Sequence, residues 1–249
     1  MPIPAFSVGL ATLAFHNQQG HDAYLFGETS RKGWWYYFPV VFFYKTPIPF
    51  LLLAAWGIAT TRHRFVYTGV ALVILVVAMT ASINIGVRHI LPIYAPLSIA
   101  AAHAVVTIWS HATTAFSRFA LAALLVWLFA GTAMAGRDML PWFNELAQPN
   151  PASIAVDSNL DWGQDTLRLA RTVRELQIGE LRGAIFTNAR LDRHGLRVQP
   201  LDPYVKTSGW CAVSEMMIAM GRPKGEYAWL SVYRPVRHIG HSIRLYSIP

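Results

Sequence analysis

Four stretches of this chain, residues 38–59, 65–82, 90–108 and 119–135, are almost free of charge, which limits its folds more than any other feature. A helix that crosses a bilayer takes about 20 mostly apolar residues, and these runs meet or approach that length. The run 65–82 has no charge and no polar face at the helical period, which a surface helix of a water-soluble protein would show. A shorter apolar run at 4–15 reads as the end of a further span or as an interfacial helix. Residues 1–15 lack the basic start and small-residue cleavage site of a signal peptide, so they read as the interior of a membrane protein entered at a methionine. The expected fold is therefore a polytopic α-helical membrane protein of about four to five spans.

Charge divides the chain sharply. Residues 1–136 hold the basic residues Arg31, Lys32, Lys45, Arg62, Arg64, Arg88 and Arg118 but only two acids, Asp22 and Glu28. The remaining charged residues lie in 137–249. Such a shift marks a boundary between a part solvated by lipid and a part solvated by water. The predicted organisation is a transmembrane region over 1–136 and an extracytoplasmic α/β domain over 137–249. The net charge of +8 includes no Lys/Arg-rich run, which argues against nucleic acid and for lipid headgroups or a phosphate-bearing ligand. Cys211 is the single cysteine, so no disulfide forms within the chain.

Short loops set the expected topology. Alternation puts 60–64 and 110–118 on one side, and 18–33, 83–89 and the tail on the other. The first side carries Arg62, Arg64 and Arg118, the second Arg31, Lys32, Arg88 and Arg137. With the two sides so nearly balanced, the positive-inside rule does not orient the chain.

Beyond Gly136 the pattern becomes mixed. Strands are predicted at 153–156, 182–186, 210–213, 227–232 and 242–248, and helices at 165–177 and 214–220. The first helix places Leu169, Ala170, Val173 and Leu176 on one stripe, with Arg171 and Glu175 four apart as a surface ion pair. This alternation suggests a small α/β domain with a largely parallel sheet.

Four groups of residues have the chemistry for a site. His21, Asp22 and Glu28 sit in a polar loop that runs into Trp34, Trp35, Tyr36 and Tyr37. The aromatics suit either a membrane-interface belt or the wall of a lipid site, and the loop acids read equally as structural or functional. Lys45 lies inside an apolar run beside Pro47 and Pro49. It either snorkels to the surface or is held there for a lipid phosphate, where the prolines break the helix. Arg88, before His89 and Pro92, is either a flanking charge or a phosphate fork. Asp157, Asn159, Asp161, Gln164 and Asp165 crowd what reads as a strand-to-helix turn. Ser158 or Asn159 as helix cap, with the acids at the positive helix end, is one reading, and a ligand site is the other. A divalent metal is compatible with the acidic loops, although no ligand spacing supports one and no metal ligand is assigned.

Several strings, in order, resemble one family: GHDAYLFGETSRKGWWYYFPVVFFYKTPIP, NIGVRHILPIYAPL, FNELAQPNPASIAVDSNLDWGQDTLRLAR, GWCAVSEMMIAMGRP and PVRHIGHSIRLYSI. They are similar to bacterial glycosyltransferases of the protein O-mannosyltransferase type, relatives of the aminoarabinose transferases that modify lipid A. The resemblance implies a multi-pass protein of the cell inner (plasma) membrane that takes a polyprenyl-phosphate-linked sugar as donor. It implies transfer to an acceptor hydroxyl on the outer face, with the tail outside the cytoplasm. Lys45 and Arg88 then match the expected contacts to the carrier phosphate, converging near Glu28, with His21 beside them and Tyr36 and Tyr37 along the isoprenoid. The catalytic acid of that family belongs to a loop expected upstream of residue 1, so a missing N-terminal half is an expected partner and this portion is expected to be inactive alone. The alternatives are a non-catalytic carrier-binding or partner subunit and, more weakly, a transporter fragment.

Overall fold

The computed structural model describes residues 3–249. The chain separates into two units: residues 1–21 with 32–149, and residues 22–31 with 150–249. By packing, the division falls at 149/150, and a short early segment goes with the C-terminal part.

The first unit is helical. Its helices are α1 (Ile3–Gln19), α2 (Tyr37–Lys45), α3 (Ile48–Thr60), α4 (Arg64–Met79), α5 (Tyr94–His111) and α6 (Ala115–Ala135). A 3-10 stretch, Val87–Ile93, leads into α5. Among the described residues, two helices are long and apolar enough to cross a membrane: Val87–His111, taking the 3-10 stretch with α5, and Ala115–Ala135. A third span exists only if α2 and α3 count as one, and these are bent by 111° at the break between them. The expected four to five spans are therefore corrected to two or three. The reasons are local. Pro47 and Pro49 remove backbone donors where 38–59 was expected to continue, and α4 ends at Met79 after 16 residues.

Small residues let these helices pack closely. At Gly57 of α3 a Cβ would run into the Ala100 carbonyl of α5. Around that contact Leu53, Ala54, Ala71, Ile93, Leu97, Ala101, Ala104 and Leu121 form the buried core. The outward surface is as apolar as the inside. Phe65, Phe116 and Phe129 are each more than 70% exposed, and only Leu121 of α6 is buried. A helix that is apolar all round and mostly uncovered suits lipid as its solvent.

The second unit holds a two-stranded hairpin and a five-stranded sheet. The hairpin pairs β1 (Ala23–Leu25) with β2 (Glu28–Ser30) through Phe26 and Gly27, both at positive φ, as a tight two-residue turn of primed type requires. The Phe26 amide donates to the Ile154 carbonyl at 3.0 Å, which ties the hairpin to the rest of the unit. The sheet comprises β3 (Leu181–Ala184), β4 (Val198–Pro200), β5 (Gly209–Ser214), β6 (Arg237–Ile239) and β7 (Ile243–Ile248), in the order β4-β3-β5-β7-β6. β3 pairs parallel with β4 and β5, while β7 pairs antiparallel with β5 and β6. The sheet is mixed, which corrects the expected largely parallel one. Its two faces follow the period of two. Ala212, Ile243 and Leu245 pack with Leu169 and Ala170 of α7 (Thr166–Glu175). Cys211, Val213, Tyr246 and Ile248 pack with Tyr227 and Leu230, and with Met217 and Ile218 of α8 (Glu215–Gly221).

Turns replace two of the predicted strands. Residues 153–156 follow a 3-10 turn, Pro151–Ser153, and 227–232 form another, Ala228–Val232. The acidic run therefore enters α7 from a 3-10 turn, Asp157–Asn159, and not from a strand. Glu175 pairs with Arg237 of β6 at 3.0 Å, in place of the expected Arg171.

Candidate functional site

In the first unit the site is built on the break between α2 and α3. A helix leaves its last carbonyls without partners, and Pro47 and Pro49 supply no N–H of their own. Asn144, fully buried, provides the missing donors. Its side-chain amide donates to the carbonyls of Phe43 at 2.7 Å and Thr46 at 2.9 Å. Its backbone N–H donates to the Tyr44 carbonyl at 2.8 Å. The Thr46 hydroxyl lies 2.7 Å from the Tyr94 hydroxyl. Lys45 stands at this pinned corner. Its ammonium donates to the Leu140 carbonyl at 2.6 Å and sits 4.4 Å from the centre of the Phe143 ring. The Leu140 carbonyl and the face of the Phe143 ring are two of the groups that hold this cation.

Arg88 is exposed in the 3-10 stretch before α5. Its neighbour His89 packs edge-on against Phe38, with ring centres 6.3 Å apart. Phe38 lies two helical turns before Lys45, about 10 Å along α2, so the two cations belong to opposite ends of that helix. Tyr37 is 1% exposed inside the unit, whereas Tyr36 lies at the surface with Trp35 edge-on at 5.5 Å. His21 stacks on His16 at 6.1 Å. Glu28 is exposed on β2 and belongs to the second unit.

The acidic run of the second unit is a scaffold of turns. Asp157, at φ 57°, accepts from the Ser158 amide at 2.5 Å. The Asn159 side chain donates to the Val156 carbonyl at 3.3 Å. Gln164 donates to the Leu160 carbonyl and accepts from the Trp162 amide, at 2.9 and 2.8 Å. Asp165, and neither Ser158 nor Asn159, precedes α7 as its cap residue, but its carboxylate does not cap that helix. It accepts instead from the His241 and Ser242 amides and the Ser242 hydroxyl, at 3.1, 3.2 and 2.9 Å, and from Arg168 at 2.8 Å. Gly240 is required beside it, because any Cβ there would strike the carboxylate.

Asp161 is different. It is fully buried, accepts from the Gly163 amide at 3.0 Å, and has one carboxylate oxygen with no hydrogen-bond partner. Burial pushes its pKa up to about 6, against the opposing effects of the Gly163 amide and the Ser214 and Ser242 hydroxyls. Among the described residues, no three His, Cys, Asp or Glu side chains gather to hold a metal ion.

Sequence reasoning did not single out Asn144, or the pair of Arg244 with Glu215. Arg244 Nε and Nη2 donate to the two Glu215 carboxylate oxygens at 2.5 and 2.8 Å. Only adjacency on β5, α8 and β7 brings those residues together, and no local motif marks them. Compared with protein-family models, curated proteins and solved structures, the chain matches none.

Proposed function

We propose that this chain is the carrier-binding part of a membrane glycosyltransferase that draws its sugar from a polyprenyl-phosphate donor. The resemblance of its strings to lipid-carrier-dependent glycosyltransferases supports that reading, and Lys45 is the observation that carries it. A cation in an apolar helix pair costs several kcal/mol unless it is partnered. Here the helix is broken beside it, and Asn144 holds the break in shape. A phosphate oxygen is a stronger acceptor for this ammonium than the Leu140 carbonyl that it meets here.

A polyprenyl phosphate joins an apolar tail to an anionic head. The uncovered apolar faces of the first unit suit the tail, and Lys45 suits the head. Arg88 is exposed at the other end of α2, about 10 Å along the helix, so the two cations do not converge on one phosphate as expected. In this proposal Arg88 meets the donor farther along, offering a planar fork where Lys45 offers a point charge. The protein belongs, in this proposal, to the plasma membrane in several passes, with residues 150–249 outside the cytoplasm.

The test is binding of a polyprenyl-phosphate sugar to the detergent-solubilised chain, with Lys45→Ala and Arg88→Ala against Arg62→Ala. Loss in the first two alone supports the proposal. Carrier binding without sugar transfer, even when the chain is supplied with a donor and an acceptor hydroxyl, assigns it as a non-catalytic carrier-binding subunit.

A further inference from the structure

The second unit carries a cleft that none of the residues assigned to the carrier line. It lies among α8, the 3-10 turns Arg222–Lys224 and Ala228–Val232, and β7. Its volume is about 180 Å³, smaller than a drug-sized site and on the scale of a single sugar ring. Arg222, Glu226, Tyr227, Tyr233, Arg244 and Tyr246 supply its polar and aromatic lining. A neighbouring recess of about 20 Å³ shares Arg222 and Arg244, and adds Tyr24 and Glu215.

The two arginines have different duties. Arg244 is committed to Glu215 through two parallel bonds. Arg222 is exposed, and among the described residues its guanidinium makes no hydrogen bond or ion pair. It lies near enough to Tyr24 to oppose the rise in that phenol's pKa caused by burial. A guanidinium left open where two recesses meet is pre-shaped for a carboxylate or phosphate. Glu226 adds an acceptor at the same wall; one of its oxygens accepts from the Tyr204 hydroxyl at 3.3 Å.

Of the lining tyrosines, Tyr227 and Tyr246 are buried in the core behind the cleft, and Tyr233 is half-exposed, with a flat apolar face and a polar edge. Tyr227 is held at φ 57°, with its amide donating to the Pro203 carbonyl at 2.7 Å. A bulky side chain rarely adopts that backbone conformation, and such strain concentrates at ligand sites. Lys206 lies 5.4 Å over the Tyr233 ring and adds a cation beside the lining.

One open fork, one carboxylate acceptor and the half-exposed ring of Tyr233 suit a hydroxyl-rich ring that bears a single anionic group. An inorganic anion would leave Glu226 and that ring without purpose, and an apolar chain would strand the charges. We propose that this cleft binds an acidic monosaccharide unit, with Arg222 on its carboxylate or phosphate, Glu226 on its hydroxyls and a tyrosine against its ring.

Calorimetric titration of the full chain in detergent tests this, with glucuronate, glucose 1-phosphate, glucose and inorganic phosphate as probes. At least one of the two acidic sugars should bind about tenfold more tightly than glucose or phosphate, since only it meets both the fork and the ring. Which of the two binds identifies the anionic group. Arg222→Ala should lose that gain, Arg222→Lys should recover part of it, and Lys224→Ala should bind as the wild type does. Ser231→Trp, at an exposed lining position, should block the cleft without removing any charge. Lys45→Ala should leave this binding unchanged, so failure of the cleft and failure of the carrier contact are read separately. The proposal is overturned if Arg222→Ala binds like the wild type, if no acidic sugar binds, or if phosphate alone binds as tightly as the sugars.

Discussion

Asn144 donates its side-chain amide to the carbonyl of Thr46 across 98 residues of chain, and so closes the corner at which Lys45 stands. Three backbone carbonyls at the end of α2 depend on this one residue. Asn144→Ala strands two of them in an apolar setting, at about 1–3 kcal/mol for each unmatched group. Thermal unfolding in detergent should show a loss of about 2 kcal/mol or more. Asn144→Asp should do no better, since a carboxylate has no N–H to give. A wild-type melting temperature in both variants would contradict the role given to Asn144 at the break.

Gly57 and Gly69 offer a contrast within one bundle. A methyl at Gly57 strikes the Ala100 backbone, whereas a methyl at Gly69 meets nothing within 4 Å. Gly57→Ala should force α3 and α5 apart at a cost of about 1–3 kcal/mol. Gly69→Ala should be neutral or stabilising by up to about 1 kcal/mol, because alanine favours the helix. The two melting temperatures, compared side by side, check the packing.

Asp161 makes stability depend on pH in a stated direction. Its folded pKa is raised, to about 6 from the ordinary 3.8. The folded state therefore holds the proton more tightly than the unfolded state. Below about pH 4 both states are protonated and no penalty exists. The penalty grows between pH 4 and 6 and is complete above 6, where it reaches at most about 3 kcal/mol. Asp165, itself paired with Arg168, is the neighbouring charge that adds to the rise. Asp161→Asn keeps an acceptor for the Gly163 amide and removes the penalty. It should raise the melting temperature at pH 7.5 and lose that advantage near pH 4. An advantage independent of pH would show that the buried carboxyl is not the cause.

Much of the helical unit was legible because long apolar helices advertise themselves by composition, and Pro47 and Pro49 marked the break. The length of α4 was not legible, because hydropathy continues past Met79 where the helix stops. In the tail, the stripe of Leu169 and Ala170 announced α7, and the strand-like composition of 242–248 announced β7. Tyr227–Val232 had strand-like composition, but Tyr227 takes a left-handed conformation and the chain turns. The hairpin at 23–30 read as a polar loop because its partner, Ile154, lies far away in sequence. Lys45 was visible as a charge inside an apolar run, and Asp161 only as one of several acids crowded before a helix. Asn144 was not, since nothing local distinguishes a lone asparagine that will serve a distant helix end.

Whether Lys45 holds a lipid-linked phosphate is decided by carrier binding. The full chain in detergent is titrated with a fluorescent polyprenyl-phosphate sugar, for the wild type and for Lys45→Ala, Arg88→Ala and Arg62→Ala. Removing a charge-assisted contact to phosphate costs about 1.5–3 kcal/mol, or roughly ten- to a hundredfold in affinity. Lys45→Ala should show that loss, Arg88→Ala a loss in the same direction, and Arg62→Ala the affinity of the wild type. Equal affinity in the wild type and Lys45→Ala would contradict a carrier site at the α2–α3 break.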